Sequence, residues 1–179
     1  FWRWRSRSPR LGAMLMPGQH PIQIRQATAG DLPLVRALFR EYEASIDAPY
    51  CFQSFEAELA DLPGYYALPG GCLLIACSGE AAAGCVTLRR LNDKSGEVKR
   101  FFVREHYQGA GLGAELMARL IANAQNTGFE SLVLETLPTM RPANRLYERL
   151  GFVGRSAYHR NSAPGITHLS LSLKRGPFE

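Results

Sequence analysis

The stretch Val103-Arg-Glu-His-Tyr-Gln-Gly-Ala-Gly-Leu-Gly113 constrains the fold more than any other part of the chain. A strand-like run, Glu97–Val103, empties into it. Apolar residues then recur at Leu112, Leu116, Leu120, Ile121 and Ala124, the spacing of an amphipathic helix that Gly128 stops. Such a strand, glycine turn and helix make an anion site. Glycines let the backbone approach a ligand, and the N–H groups of the first helical turn point at it with the positive end of the dipole. A pyrophosphate fits that environment. The same turn also reads as a plain glycine-rich connection, and no Lys-Ser/Thr pair follows that would make it a Walker A loop.

Around this unit the periodicities predict the order β-α-α-β-β-β-α-β-α-β-β, with no internal repeat. A strand over Ile22–Ala27 leads through Thr28 to Asp31, which supply turn and N-cap chemistry, into a helix over Leu32–Ser45. Ser54 caps a short helix over Phe55–Leu62, ended by Pro63-Gly64. Strands over Cys72–Cys77 and Ala82–Leu91 flank Ser78-Gly79-Glu80 as a hairpin, and Asn92–Gly96 turns into Glu97–Val103. Ser131–Thr136 is a short buried strand and Pro142 opens a helix over Ala143–Leu150. Phe152–Tyr158 and Ile166–Leu173 read as a closing antiparallel pair around a turn at Asn161–Gly165.

Composition excludes some function classes. The 179 residues suffice for one self-supporting core, and no apolar run approaches the ~18 residues needed to span a bilayer. A net charge of +5 suggests nucleic acid until it is located: Arg3, Arg5, Arg7 and Arg10 supply most of it. Residues 1–20 read as a disordered basic arm or an upstream start before Met14 or Met16. Residues 21–175 read as a single domain and 176–179 as a tail. No nucleic-acid or membrane partner is expected. Cys51, Cys72, Cys77 and Cys85 lack metal-ligand spacing and read as buried thiols of a cytoplasmic protein, with no metal. The four histidines are scattered and receive no role.

A second segment, Pro142-Ala-Asn-Arg-Leu-Tyr-Glu-Arg-Leu-Gly-Phe152, places Asn144 and Tyr147 three apart on one helix face. Together the two segments resemble the GNAT superfamily of acyl-CoA-dependent N-acetyltransferases, over roughly residues 22–175. That family's pyrophosphate motif, Gln/Arg-x-x-Gly-x-Gly/Ala, stands here as Gln108 to Gly113. Its later Asn and Tyr before Leu-Gly-Phe stand as Asn144, Tyr147 and Leu150-Gly151-Phe152.

The resemblance implies an α/β (α+β) single-domain fold. Its mixed, mostly antiparallel sheet of about seven strands is splayed between strands four and five and flanked by about four helices. It implies acetyl-CoA as co-substrate, lying in the splay with its pantetheine amides on the backbone of Phe101, Phe102 and Val103. Gln108, Gly109, Ala110, Gly111, Leu112 and Gly113 would hold the pyrophosphate, and Asn144 would position the cofactor. Tyr147 matches the tyrosine that protonates the leaving thiolate. Glu97, eleven residues before Gln108, matches a catalytic glutamate of some members and is the candidate base, with Glu135 second. Glu97 equally fits a strand glutamate paired with Lys99 or Arg90.

The expected reaction is direct transfer to a primary amine in a ternary complex. The alternative is a sensor that binds acyl-CoA without chemistry. Glu41, Glu43, Asp47, Glu56, Glu58 and Asp61, with aromatic Tyr50, Phe52, Phe55, Tyr65 and Tyr66, suggest a cationic acceptor; the same acids also fit the solvated faces of two helices. The loop Tyr158–Gly165 borders the expected acceptor site, and a homodimer is the expected assembly.

Overall fold

A strand apolar at nearly every position has no face to offer water, and Cys72–Ser78 is such a strand. In the computed structural model of the chain, which describes residues 20–48, 52, 54–159 and 165–173, both of its faces are covered. The described strands are β1 (Ile22–Gln26), β2 (Cys72–Ser78), β3 (Ala81–Arg90), β4 (Ser95–Val103), β5 (Ser131–Thr136), β6 (Val153–Gly154) and β7 (Thr167–Ser172). The helices are α1 (Leu32–Ala44), α2 (Phe55–Asp61), α3 (Leu112–Thr127) and α4 (Arg141–Arg149). The sheet runs β1-β2-β3-β4-β5-β7-β6, with β4 and β5 parallel and the other neighbours antiparallel.

Side chains alternate along β2 between two cores. Leu74 and Ala76 join Val86, Leu88, Val98, Leu116, Leu120 and Leu132 beneath α3, while Leu73, Ile75 and Cys77 join Val35, Leu38, Phe39 and Leu59 beneath α1 and α2. Val35, Leu38 and Phe39 fall on one stripe of α1 at helical spacing, which is why that face is the buried one. Cys72 and Cys77 face opposite cores, as their odd separation requires. Cys72, Cys77 and Cys85 are free and buried, and burial pushes the Cys72 and Cys85 thiols up to about 12.

The element order matches the sequence expectation, with one strand much shorter than expected. In place of Phe152–Tyr158 only Val153–Gly154 pairs with β7, closed by a bond from Arg155 N to the His168 carbonyl of 2.9 Å. The chain then leaves the sheet edge, and Tyr158 and His159 cross to Glu97 on β4. The basic arm over residues 1–19, Cys51, most of the expected turn at 161–165 and the tail lie outside the described residues. Among those described, no helix is long and apolar enough to cross a membrane.

The geometry of β4 decides where the sheet opens. Cys85 pairs with Phe102 and Thr87 with Lys99, so β4 carries Arg100 and Phe101 opposite the single residue Val86, a β-bulge. Arg100 sits at φ 52°, a left-handed conformation that is costly for a side chain with a Cβ. Neighbours stabilise it. The Thr87 hydroxyl donates to the Lys99 carbonyl at 2.8 Å and the Cys85 thiol to the Arg100 carbonyl at 3.4 Å. The Arg100 guanidinium donates twice to Glu58 of α2, at 2.9 and 2.5 Å, and lies 4.9 and 5.2 Å from the Phe52 and Phe55 rings. Tyr66 donates to the same carboxylate at 2.6 Å. Bulges bend a strand. Here β4 pairs with β5 only through Ser95, Gly96 and Glu97, and beyond that point the two parallel strands separate.

Burial alone would raise the Glu58 carboxylate, but Arg100 and Tyr66 outweigh it and hold it below its ordinary 4.5. The stabilisation is therefore present above the unfolded value and is lost as pH falls through the folded one. Glu58→Ala strands the Arg100 charge, which is only 7% exposed. Urea unfolding is expected to show a loss of about 3–5 kcal/mol at pH 7, shrinking on acidification as Glu58 of the wild type is protonated.

Candidate active site

The opening between β4 and β5 continues into a cleft of about 880 Å³. One wall is the end of β4, Phe101, Phe102 and Val103. The floor is the turn into α3, contributing Gln108, Gly109, Gly111, Leu112 and Gly113, and the far wall is α4, contributing Pro142, Ala143 and Leu146. Gly109 and Gly111 adopt φ +80° and +87°, and a Cβ at either would meet no atom within 4 Å, so backbone conformation alone demands glycine there. Gly111 is the N-cap of α3 and brings no side-chain cap, which leaves the first-turn N–H groups open toward the cleft. Gly113 answers a different need, since a Cβ there would stand 3.1 Å from the Phe101 ring. Gln108 Nε2 donates to the Val103 carbonyl at 2.8 Å and closes the turn. The cleft therefore suits a long ligand with an anionic end.

Two of the residues expected to bind the cofactor, Ala110 and Asn144, are not among those lining the cleft. Asn144 Oδ1 accepts from Thr136 at 2.7 Å and its Nδ2 donates to the Leu137 carbonyl at 2.9 Å, which ties the end of β5 to α4.

At its inner end the cleft meets a narrow cavity lined by Glu97, Lys99, Glu135, Thr136, Met140 and Tyr147. Tyr147 projects from α4 between the Phe101 and Phe152 rings, 6.1 and 5.7 Å away. Its hydroxyl has no hydrogen-bond partner among the described residues. Burial, with a smaller contribution from Tyr42, holds it well above the ordinary phenol value, so it stays a proton donor.

The opposite wall is polar. Glu97, 1% exposed, accepts from Arg89 Nε on one oxygen, and from Tyr158 at 3.0 Å and His159 at 3.2 Å on the other, with Lys99 Nζ 3.8 Å away. The expected partner Arg90 is replaced by Arg89, because Arg89 lies opposite Glu97 in the ladder. Arg90 instead stacks over Phe129 at 5.0 Å. Burial would raise the Glu97 carboxylate, but the charges of Lys99 and Arg89 and the bonds from His159 and Arg89 hold it below 4.5. Across the gap Glu135 lies 3.6 Å from the buried Nδ1 of His168, too long for a hydrogen bond. Glu97, Glu135 and His159 place three donor atoms within 4.8 Å of one another. Arg89 and Lys99 already balance Glu97, however, and a dication would have to displace them.

Periodicity gave no sign of Arg89, Tyr158, His159 or His168 as site residues, although the Tyr158 loop was expected near the acceptor. The acidic stretch 41–61 behaves differently from its composition. Glu41 is bonded bidentately to Arg104, Glu56 to Arg40 and Glu58 to Arg100. Three of its acids are thus matched by arginines.

The sequence pattern of the acetyltransferase (GNAT) family matches residues 34–152. An uncharacterised N-acetyltransferase of Schizosaccharomyces pombe is 32% identical over 147 residues, covering 81% of this chain and 90% of its own. The chain belongs to the GNAT acetyltransferase family. As an acyl-CoA-dependent acetyltransferase it shares its fold with a Salmonella typhimurium acetyltransferase solved with acetyl-CoA. That likeness has a TM-score of 0.62 and 20% identity, and covers 88% of this chain and 96% of the other. The N-acetylaspartate synthetase of Danio rerio is 29% identical, covering 73% of this chain and 47% of the synthetase.

In this GNAT chain Gly111→Val forces a β-branched residue into the left-handed region. Calorimetric titration is expected to show acetyl-CoA binding weakened about tenfold or more, with the helical circular dichroism retained.

Proposed function

We propose that the chain transfers acetyl from acetyl-CoA to a small primary amine by direct attack, with Tyr147 as general acid. The observation that carries this is the Tyr147 hydroxyl, without a hydrogen-bond partner among the described residues, in the polar cavity that shares Phe101 and Met140 with the long cleft. Acetyl-CoA supplies an activated thioester. Tyr147 is held by Phe101 and Phe152 where it can pass its proton to the departing sulfur. The shape of the cleft supports the cofactor assignment, and relatives named for aspartate acetylation keep small amino acids among the acceptors to screen.

An amine with a lysine-like value near 10.4 is neutral only about once in 10³ molecules at pH 7, so the site must also accept a proton. Glu97 is ionised but already serves Arg89, Tyr158 and His159, and its depressed value makes it a weak base. Glu135 has fewer demands on it. We assign Glu135 the direct acceptance of the ammonium proton, with Glu97 ordering the wall around it.

Thiol release from acetyl-CoA, measured against amines, amino acids, polyamines and peptides, tests the reading. Tyr147→Phe is expected to lower kcat by about 10²–10⁴-fold while the acetyl-CoA KM moves by less than about threefold. Tight acetyl-CoA binding without turnover on any amine would instead mark an acyl-CoA-binding module. Glu135→Gln is expected to lower kcat/KM about 10²-fold with acetyl-CoA affinity intact; unchanged turnover would remove Glu135 from the mechanism.

A further inference from the structure

The cavity at the inner end of the cleft is lined by a cation that has an ion pair but no hydrogen bond among the described residues. Lys99 lies on the same face of β4 as Glu97 and lines the cavity with Glu135 and Tyr147. Its side chain is only 23% exposed, yet among the described residues its Nζ has no hydrogen-bond partner; the nearest carboxylate oxygen, on Glu97, is 3.8 Å away. That oxygen already accepts from Tyr158 and His159, and the other accepts from Arg89. One glutamate thus stands between two strong cations. Arg89 is its close partner, and Lys99 is left with three N–H donors directed into a half-dry site.

A partly buried ammonium that gives no hydrogen bond to the protein keeps its donors for a ligand, and a charged acceptor group suits them best. Burial, and then the neighbouring Arg89 and Arg100 charges, push Lys99 below the ordinary lysine value, only partly opposed by Glu97 and Glu135. An arriving carboxylate reverses these effects, since it supplies both hydrogen bonds and an opposite charge. Across the same cavity Glu135 presents a negative wall. A zwitterion matches both sides.

Building on the acetyl-transfer reading, we propose that the acceptor is a free amino acid whose carboxylate is bound by Lys99 while its amino group faces Glu135 and the thioester. Lys99 is then a specificity-determining residue. The earlier expectation of a cationic acceptor drawn to residues 41–61 loses support from the same structure, because Arg40, Arg100 and Arg104 already match Glu56, Glu58 and Glu41.

The test compares the wild type on free L-amino acids, each paired with its C-terminal amide, in the thiol-release assay. At least one acid is expected to exceed its amide in kcat/KM by about ten- to a hundredfold, as the loss of a charge-assisted bond implies. Lys99→Met is expected to erase that preference mainly through KM, and Lys99→Arg to restore part of it. Acetyl-CoA titration of each variant checks that its cofactor cleft is formed. Amides, polyamines or peptide lysines acetylated as well as the free acids would overturn the inference while leaving acetyl transfer standing. The same holds for an acetyl group found on Lys99 itself by mass spectrometry, and for acetate inhibiting all acceptors alike. No acetylation of any amine, with acetyl-CoA still bound, would overturn the transfer reading and this inference with it.

Discussion

The active site rests on a buried ion pair between two segments far apart in sequence. Arg100 holds a left-handed backbone that its own side chain disfavours, and Glu58, 42 residues earlier, supplies the counter-charge. The pair adds its favourable energy only because Phe52, Phe55 and Tyr66 complete the surroundings of the guanidinium and the carboxylate. Buried charges are costly unless fully paired, so α2 and β4 are locked together. The bulge that this lock permits turns β4 away from β5. Parallel pairing with β5 ends at Glu97, and the cleft lies beyond that point.

The opening has two chemically distinct ends because of how side chains alternate across the sheet. On the α3 side of the sheet, Phe101, Leu146 and Tyr147 are apolar neighbours that shape a slot and hold one phenol. On the α1 and α2 side, Arg89, Glu97 and Lys99 share a face, and Glu135 and His168 continue it on β5 and β7. One face of the opening is thus apolar and the other charged. Three acids of the stretch 41–61, Glu41, Glu56 and Glu58, are meanwhile matched by arginines.

Much of this was legible in one dimension. The helical spacing from Leu112 to Ala124, the glycines at 109 and 111 and the apolar runs of β2 and β5 are local signals, and each element appeared where they place it. The helix that carries Tyr147 was likewise legible, opened by Pro142 and ended before Gly151. The segment Phe152–Tyr158 misled for a physical reason. Its alternation suits a strand, but Tyr158 and His159 gain hydrogen bonds to Glu97, 61 and 62 residues away, by leaving the sheet. The pairing of Glu97 with Arg89 rather than Arg90 likewise depended on a ladder register that composition does not encode.

The sequence by itself determined most of the elements, their order, the glycine turn into α3 and the family, because propensity, periodicity and left-handed glycines act over a few residues. Only the tertiary structure decided which charges are spent and which are left over. Glu41, Glu56 and Glu58 are matched by arginines 63, 16 and 42 residues away, Glu97 is saturated, and Lys99 remains without a hydrogen bond among the described residues. Such balances arise from strand register, bulge position and loop path, and these are set by how two cores pack against one sheet.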